Sequence, residues 1–462
     1  MCEGCGFHSG LTPAERRDEW SRIRNGEAKI GLGARSAIFL PLENIGVIIV
    51  DEEHETSFKQ EENPRYNARD LAVVRSRYEN ALCILGSATP SLETRRNADE
   101  KRYGHLRLTK RVLSQKLPPV EVIPLADTQR VGDGIFTEPL VKAIEDCVQA
   151  KEQTIIFLNR RGFAPYVFCK ECGSPFRCPD CDVSLTLHQK RNCLLCHYCA
   201  FEMPIPRDCP VCESTEIISS GIGTERVENE LKSLIPGVRT IRLDRDTIGR
   251  RLDLESRLAD FKERKADILI GTQMVAKGHD FPGVTLVGVV TADTSLNFPD
   301  FRASERTFQL LTQVAGRAGR SANQSRVLIQ AFETAHYAIQ CAKNHDYELF
   351  IQEEFAARKE LQYPPYSHLA LFRFESEEEA LALQGANEVV KKLRQCSLAL
   401  GNTVSVLGPV PAALSRLRGI WRVQILLKST SRTHLREVIG AAGGKYKAGI
   451  RQILDVDPIS ML

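Results

Sequence analysis

The chain has 462 residues, room for about three domains at roughly 150 residues each. Apolar residues make up 42% and charged residues 26%, which excludes collagen, coiled coil and wholesale disorder. Lys and Arg number 62 against 59 Asp and Glu, a net of +3; so mild a balance argues no nucleic-acid partner by itself, and only local clustering could. The apolar run 45–50 is typical of the longest ones and falls well short of the ~18 residues of a membrane span. The first 30 residues hold acids and arginines with no apolar h-region, so the reading is a cytoplasmic chain with no signal peptide and no membrane partner.

Residues 1–107 alternate helix-like and strand-like stretches. The stretch 14–26 has helical content and closes on Gly26. The β-branched run 45–50 predicts a buried parallel strand, and 82–85 another. Cys2-x-x-Cys5 has no second pair nearby and reads as free thiols on a frayed terminus. Residues 108–137, with Leu117-Pro118-Pro119 and Gly132-Asp133-Gly134, carry a linker signature. The α/β rhythm continues over 138–165 and 220–330. There Pro139 opens a helix with Thr137 as N-cap, strands follow at 154–158, 268–271 and 284–290, and a helix covers 303–314. Between the two parts, 166–219 reads as an inserted module. Residues 331–366 form a charged helical connector. Residues 367–462 run strand (369–374), helix (377–395), strand (404–407), strand (421–427), helix (432–442), strand (453–456). That β-α-β-β-α-β order predicts a C-terminal ferredoxin-like α+β domain.

Of 15 cysteines, nine fall between Cys169 and Cys212. In a reducing compartment such density points to metal rather than disulfides. The cluster reads Cys169-x-x-Cys172, Cys178-x-x-Cys181, Cys196-x-x-Cys199 and Cys209-x-x-Cys212, with Cys193 left over. A C-x-x-C turn brings two thiolates to one ion, and zinc takes four. Five residues separate Cys172 from Cys178, tight for two turns to fold onto one ion, whereas fourteen separate Cys181 from Cys196, close to the ribbon spacing of ~15–20. The spacing therefore pairs Cys178, Cys181, Cys196 and Cys199 as an inner site, with Cys169, Cys172, Cys209 and Cys212 closing an outer one. Cys193 in place of Cys199 is the alternative and shortens the loop to eleven. Four thiolates leave no open position, so both zinc ions are structural.

The remaining motifs stand at strand ends. The apolar 45–50 run leads into Asp51-Glu52-Glu53-His54, a Walker B pattern in which the first acid holds Mg²⁺ and the second polarises the attacking water. The 82–85 strand ends in Gly86-Ser87-Ala88-Thr89-Pro90, whose hydroxyls suit phosphate sensing. Further on come Gly271-Thr272-Gln273-Met274 with Lys277-Gly278-His279-Asp280, then Gln313-Val314-Ala315-Gly316-Arg317-Ala318-Gly319-Arg320. Arg317 and Arg320 lie one helical turn apart, and two guanidinium forks on one face suit a γ-phosphate from a facing domain.

Taken in this order, the motifs resemble motifs II, III, V and VI of superfamily 2 helicases. With the eight-cysteine insertion the chain resembles the PriA family of bacterial replication-restart helicases, from about His8 to the C-terminus. Ser57-Phe58-Lys59-Gln60, Arg65-Tyr66-Asn67-Ala68-Arg69-Asp70-Leu71, Phe157-Leu158-Asn159-Arg160-Arg161-Gly162, Leu407-Gly408-Pro409-Val410-Pro411 and Leu454-Asp455-Val456-Asp457-Pro458 agree. The resemblance implies two RecA-like parallel-sheet domains, the first incomplete. It implies an ATP-dependent helicase that unwinds DNA 3′ to 5′, recognises abandoned forks and D-loops, and works with primosome proteins and single-strand-binding protein. It makes Asp51 the Mg²⁺ ligand and Glu52 the base, and places Gln313, Arg317 and Arg320 on the nucleotide. The stretch 58–66 becomes a DNA-coupling loop in which Phe58 and Tyr66 stack bases while Lys59 and Arg65 meet phosphates; ordinary packing of both rings is the alternative.

The sequence also departs from the family. No G-x-x-x-x-G-K-[ST] is present; Gly443-Gly444-Lys445 lacks the following Ser or Thr and an upstream strand. Without that loop neither a backbone cradle nor a lysine holds the β- and γ-phosphates. Ala34 stands in Gly33-Ala34-Arg35-Ser36 where the family has Thr, and the family's amino-terminal DNA-binding domain is missing. The expectation is an N-terminally truncated first domain with exposed sheet edge and apolar surface, unstable on its own, and a chain that binds DNA and primosome proteins without ATPase activity as the alternative function. Local charge favours a nucleic-acid role at the other end: from Ala412 to Leu462 nine Lys and Arg face three acids, a net of +6, unless this is simply a solvated face.

Overall fold

The computed structural model describes residues 4–8, 10–110, 117–158, 167–188, 191–219, 223–243, 251–272, 281–318, 325–443 and 448–461. The chain divides into two compact units, Met1–His105 and Leu106–Leu462.

In the first unit, Gly4–Phe7 pairs in parallel with Ile30–Gly33, joined by the helix Pro13–Arg24. Thr12 and Glu15 start this helix with a reciprocal capping box: the Thr12 N–H donates to Glu15 Oε2 at 2.7 Å and the Glu15 N–H to Thr12 Oγ1 at 3.3 Å. Cys5, Phe7, Ile23, Ala28 and Leu40 make a small core. The expectation of a frayed terminus is therefore corrected at Cys5, which is fully buried in a strand, its thiol pushed up to about 11 by desolvation. Cys2 lies outside the described residues. Gly-Cys-Gly-Phe carries almost no strand propensity, so its pairing rests on backbone contact rather than on side-chain pattern. Gly33 permits that contact: a Cβ there would lie 2.2 Å from the Phe7 carbonyl oxygen. Val47–Val50 and Leu82–Leu85 form a second parallel pair, with the helix Ala68–Tyr78 packed on it through Ala72.

The second unit is built on a six-stranded parallel sheet. From edge to edge its strands are Thr240–Leu243, Ile268–Gly271, Gln153–Phe157, Val284–Val289, Arg326–Ala331 and Val120–Pro124. Ile268–Gly271, Gln153–Phe157 and Val284–Val289 are buried at every position, as in a sheet covered on both faces. The linker expected over 108–137 is corrected here. Val120–Pro124 is the sheet's edge strand, and Arg130–Val131 with Phe136–Thr137 form a hairpin. The prolines and glycines that signalled a linker are turn and edge chemistry, since an edge strand tolerates a residue without an N–H. Thr137 does precede the helix Glu138–Gln149, but its hydroxyl donates to Gln330 Oε1 at 2.9 Å instead of capping. The buried Gln330 amide also donates to the carbonyls of Ile135 and Val290 at 3.0 and 2.8 Å, which fastens the hairpin to the sheet.

The inserted module is nested. Val167–Cys169 pairs antiparallel with Ile217–Ser219 at its base, and the three short strands Thr186–His188, Cys193–Leu195 and Glu202–Pro204 lie within. The C-terminal sheet is antiparallel, ordered Val404–Leu417, Ile420–Ser429, His368–Ser376, Arg451–Val456. With the helices Glu379–Ala399 and Arg432–Ala441 it is the expected split βαβ. The strand expected over 404–407 runs on to Leu417, its register shifting between Leu407 and Val410 and between Pro411 and Arg416; such bulges accommodate Pro409 and Pro411. One face of this sheet packs on its own helices through Phe372, Phe374 and Ile425. The opposite face, with Leu369, Leu371 and Leu426, packs on the inserted module.

Candidate metal centres and strand-end motifs

Each of the four Cys-x-x-Cys segments folds into the same turn. The N–H of the residue after the second cysteine donates to the carbonyl of the first: Gly173 to Cys169, Asp182 to Cys178, Ala200 to Cys196 and Glu213 to Cys209, at 2.8–3.1 Å. Those four residues all have positive φ, from 51° to 75°. Three are not glycine, so those three turns hold a conformation that an isolated loop disfavours. Backbone N–H groups point at sulfur within the turns, from Tyr198 to Cys196 Sγ and Phe201 to Cys199 Sγ at 3.4 Å and from Val211 to Cys209 Sγ at 3.5 Å, which favours thiolate.

The sulfurs gather in two sets: Cys169, Cys172, Cys209 and Cys212, and Cys178, Cys181, Cys196 and Cys199. Within each set all four lie within 4.8 Å of one another, and Cys169–Cys212, Cys172–Cys209 and Cys178–Cys199 are 3.5–3.6 Å apart. A tetrahedral ion with Zn–S bonds of ~2.3 Å needs sulfurs ~3.8 Å apart, so four thiolates at these distances fit zinc. Burial raises the Cys172 thiol, so a bound cation has a proton to displace there. Cys193 joins neither set and is buried in its strand.

In the first unit, Asp51 and Glu52 lie just past the strand Val47–Val50. Both are exposed, and Glu52 is held at φ 48°. The parallel neighbour Leu82–Leu85 delivers Gly86 and Ser87 to the same end. The Glu53 N–H donates to the Gly86 carbonyl at 3.0 Å, and His54 Nδ1 meets Ser87 Oγ at 2.7 Å. Glu53, which received no role from sequence, is the buried centre of this turn. It accepts from the Ser91 N–H at 2.6 Å, Thr94 Oγ1 at 2.9 Å, Ser91 Oγ at 3.1 Å and Arg69 Nη1 at 3.3 Å. The sequence signal that could have found it is Ser91, which precedes the helix Leu92–Asp99 as an N-cap.

The stretch 58–66 doubles back on itself: Lys59 and Asn67 bridge as antiparallel partners, and the Gln60 N–H donates to the Tyr66 carbonyl at 2.7 Å. Arg35 props it from behind, donating to the Lys59 carbonyl at 2.8 Å. Phe58, Lys59, Arg65 and Tyr66 are half-buried and the tip 61–64 is exposed. The Tyr66 ring packs edge-on against Phe39 at 5.0 Å, the packing alternative for that residue. In the second unit, Gln313 and Arg317 share a face of the helix Ala303–Ala318, four residues apart and partly buried. Arg320, Gln273, Met274, residues 277–280 and residues 159–162 lie outside the described residues. In the basic tail, the buried Arg422 is spent on Glu375 at 3.7 Å, while Arg416 lies over the Trp421 ring at 5.2 Å.

Three family models match the second unit. Residues 178–204 match the PriA DNA helicase Cys-rich region domain, 223–322 the helicase conserved C-terminal domain, and 359–459 the primosomal protein N C-terminal domain. The replication restart protein PriA of Treponema pallidum is 38% identical over 458 residues, covering 99% of this chain and 68% of that protein. The chain belongs to the PriA family. The PriA proteins of Bacillus subtilis and Haemophilus influenzae are 44% and 40% identical over 99% and 98% of the chain. The chain spans 57% and 62% of their lengths. The PriA Cys-rich match begins and ends around the inner cysteine set, which supports structural zinc there. Among the described residues no helix is long and apolar enough to cross a membrane.

Proposed function

We propose that this chain belongs to an ATP-dependent 3′-to-5′ DNA helicase of the PriA type, which recognises stalled or abandoned forks and D-loops and starts primosome assembly for replication restart. The observation that carries the reading is the meeting of His54 and Ser87 at 2.7 Å beyond the C-terminal ends of two adjacent parallel strands, the end at which α/β sheets bind their ligands. In this reading Asp51 holds the Mg²⁺ of bound ATP and Glu52 polarises the attacking water, while Glu53, Arg69 and Ser91 keep that turn rigid. Gln313, Arg317 and Arg320 contact the nucleotide. Phe58, Lys59 and Arg65 meet single-stranded DNA, with Tyr66 at the base of their loop. Residues 120–165 and 220–331 are the second helicase domain, its edge strand Val120–Pro124 included, with 166–219 the zinc-binding insertion and 367–462 the C-terminal domain. The two zinc ions supply structure, and primosome proteins and single-strand-binding protein are the partners.

The sequence favours a second reading for these 462 residues taken alone. They contain no G-x-x-x-x-G-K-[ST] to cradle the phosphates, and would then act as an ATPase-inactive, zinc-stabilised platform for DNA and primosome proteins. ATP hydrolysis with and without forked DNA, at low salt with Mg²⁺, separates the two. DNA-stimulated turnover that Glu52→Gln abolishes establishes the enzyme. Salt-sensitive DNA binding without turnover establishes the platform. Absence of both overturns both.

A further inference from the structure

The inner cysteine set sits where the inserted module, the parallel-sheet domain, the helical connector and the C-terminal sheet meet, and its two turns hold all three neighbours. In the 196–199 turn, His197 Nδ1 donates to the Pro411 carbonyl at 2.7 Å, and Gln424 Nε2 donates back to the His197 carbonyl at 2.9 Å. Both partners belong to the C-terminal sheet. The next residue, Tyr198, accepts the Phe301 N–H on its hydroxyl at 3.2 Å. Phe301 stands just before the helix Ala303–Ala318, which carries Gln313 and Arg317. In the 178–181 turn, the Cys181 carbonyl accepts from the Tyr363 hydroxyl at 3.1 Å, and the Tyr363 ring stacks on Phe301 at 4.7 Å. Cys178, Tyr198, Phe301, Tyr363, Leu371 and Leu426 share one apolar cluster. The outer set is placed differently. Its first turn meets the sheet domain through Gly173, packed so close that a Cβ would lie 2.1 Å from Phe332 Cβ. Its second turn lies at the surface, with Val211 and Cys212 exposed.

We propose that zinc at Cys178, Cys181, Cys196 and Cys199 is the fastener of the C-terminal domain. The ion holds two turns that an isolated chain disfavours. Those turns present His197, Tyr198 and the Cys181 carbonyl, and these in turn hold the C-terminal sheet and the start of the helix bearing Gln313 and Arg317. The outer ion serves the base of the module and, through Gly173, its seat against Phe332, but reaches neither the C-terminal sheet nor the start of that helix. His197 and Tyr198 are thus positioning residues that transmit zinc occupancy outward. The inference rests on the zinc reading of both sets, which a metal assay tests separately.

The test is amide hydrogen exchange of the full chain by mass spectrometry, with zinc content measured on the same samples. The unmodified protein should hold two zinc ions. Cys199→Ser should lose one and speed exchange over 303–318 and 404–429 by roughly tenfold or more. Cys212→Ser should lose one and speed exchange only within 167–175 and 209–219. Tyr198→Phe should keep both ions and speed exchange at 301–307 alone, which decides the matter if Cys199→Ser also exposes the sheet strands 153–157 and 284–289 and so unfolds globally. Native protection over 404–429 in Cys199→Ser, or equal loss there in Cys212→Ser, overturns the fastener, as does native protection at 301–307 in Tyr198→Phe. Fewer than two ions in the unmodified protein overturns the metal reading beneath it.

Discussion

Two of the parallel sheets in this chain are written in nearly the same residues and are treated oppositely by their surroundings. In the first unit, Val47-Ile48-Ile49-Val50 pairs with Leu82-Cys83-Ile84-Leu85, yet Ile49 is 65% exposed and Leu82 62%. In the second, Ile156 and Ile270 are wholly buried within six strands. A β-branched run specifies an extended strand. How much free energy that strand yields depends on what covers its two faces, at about 25 cal/mol per Å² of apolar surface removed from water. The first unit thus has a helix on its short sheet and a five-residue buried cluster beside it, while the second has three larger buried clusters and two cysteine centres.

Zinc removal should separate the units most. Structural zinc in small domains contributes on the order of 10 kcal/mol per site, so a strong chelator should abolish native hydrogen-exchange protection across 167–219 while leaving that of 4–105 unchanged. Equal loss in both would break the comparison. Core truncation comes next. Ile156→Ala should cost ~2–5 kcal/mol and Ile49→Ala under ~1 kcal/mol, read as midpoint shifts in urea unfolding followed by unit-specific probes. Similar costs would mean that Ile49 is covered in solution.

Acid should then act on the second unit through His336. Burial holds its folded pKa down, to about 4, from 6.5, and its Nδ1 accepts the Ala338 N–H at 3.1 Å as the N-cap of the helix Tyr337–Lys343. The unfolded state binds the proton more tightly, so this contribution is complete above pH 6.5 and is lost as the pH falls toward 4. At pH 5 the loss should be about 2 kcal/mol. His336→Asn, which keeps a capping acceptor but does not titrate, should remove that part of the pH dependence; an unchanged pH profile would refute the assignment. The smallest effect is expected in the first unit. Ser91→Ala removes the cap on Thr94 and a hydroxyl donor to Glu53, for about 1 kcal/mol in thermal unfolding of that unit. No shift at all would mean that the buried Glu53 turn is held by Arg69 and Thr94 without it.

Much of the second unit was legible because its signals are local. The spacing of the cysteine pairs groups them as the sulfurs are grouped, since loop length limits which turns can meet. The β-α-β-β-α-β order emerged from periodicity alone. Where signals were short or long-range, the reading failed. Val120–Pro124 looked like linker because prolines crowd its edge, and only its ladder to Arg326–Ala331 makes it a strand. Gly4–Phe7 was unreadable because backbone pairing with Ile30–Gly33, and not side-chain pattern, defines it. Glu53 was passed over beside Asp51 and Glu52 because its partners, Arg69, Ser91 and Thr94, come from two later helices.

By itself the sequence marked out four Cys-x-x-Cys pairs, an acidic strand end and an arginine pair as candidates for chemistry, and set the helix and strand periods of each domain. These follow from short-range geometry and residue type. The tertiary structure alone decided which apolar faces are covered, which carboxylate is buried, and that the inner cysteine set lies against the C-terminal sheet through His197 and Pro411. Those outcomes depend on residues from 16 to 214 positions apart, whose meeting is set by packing and by the pairing of buried polar groups, and neither is encoded in any local window.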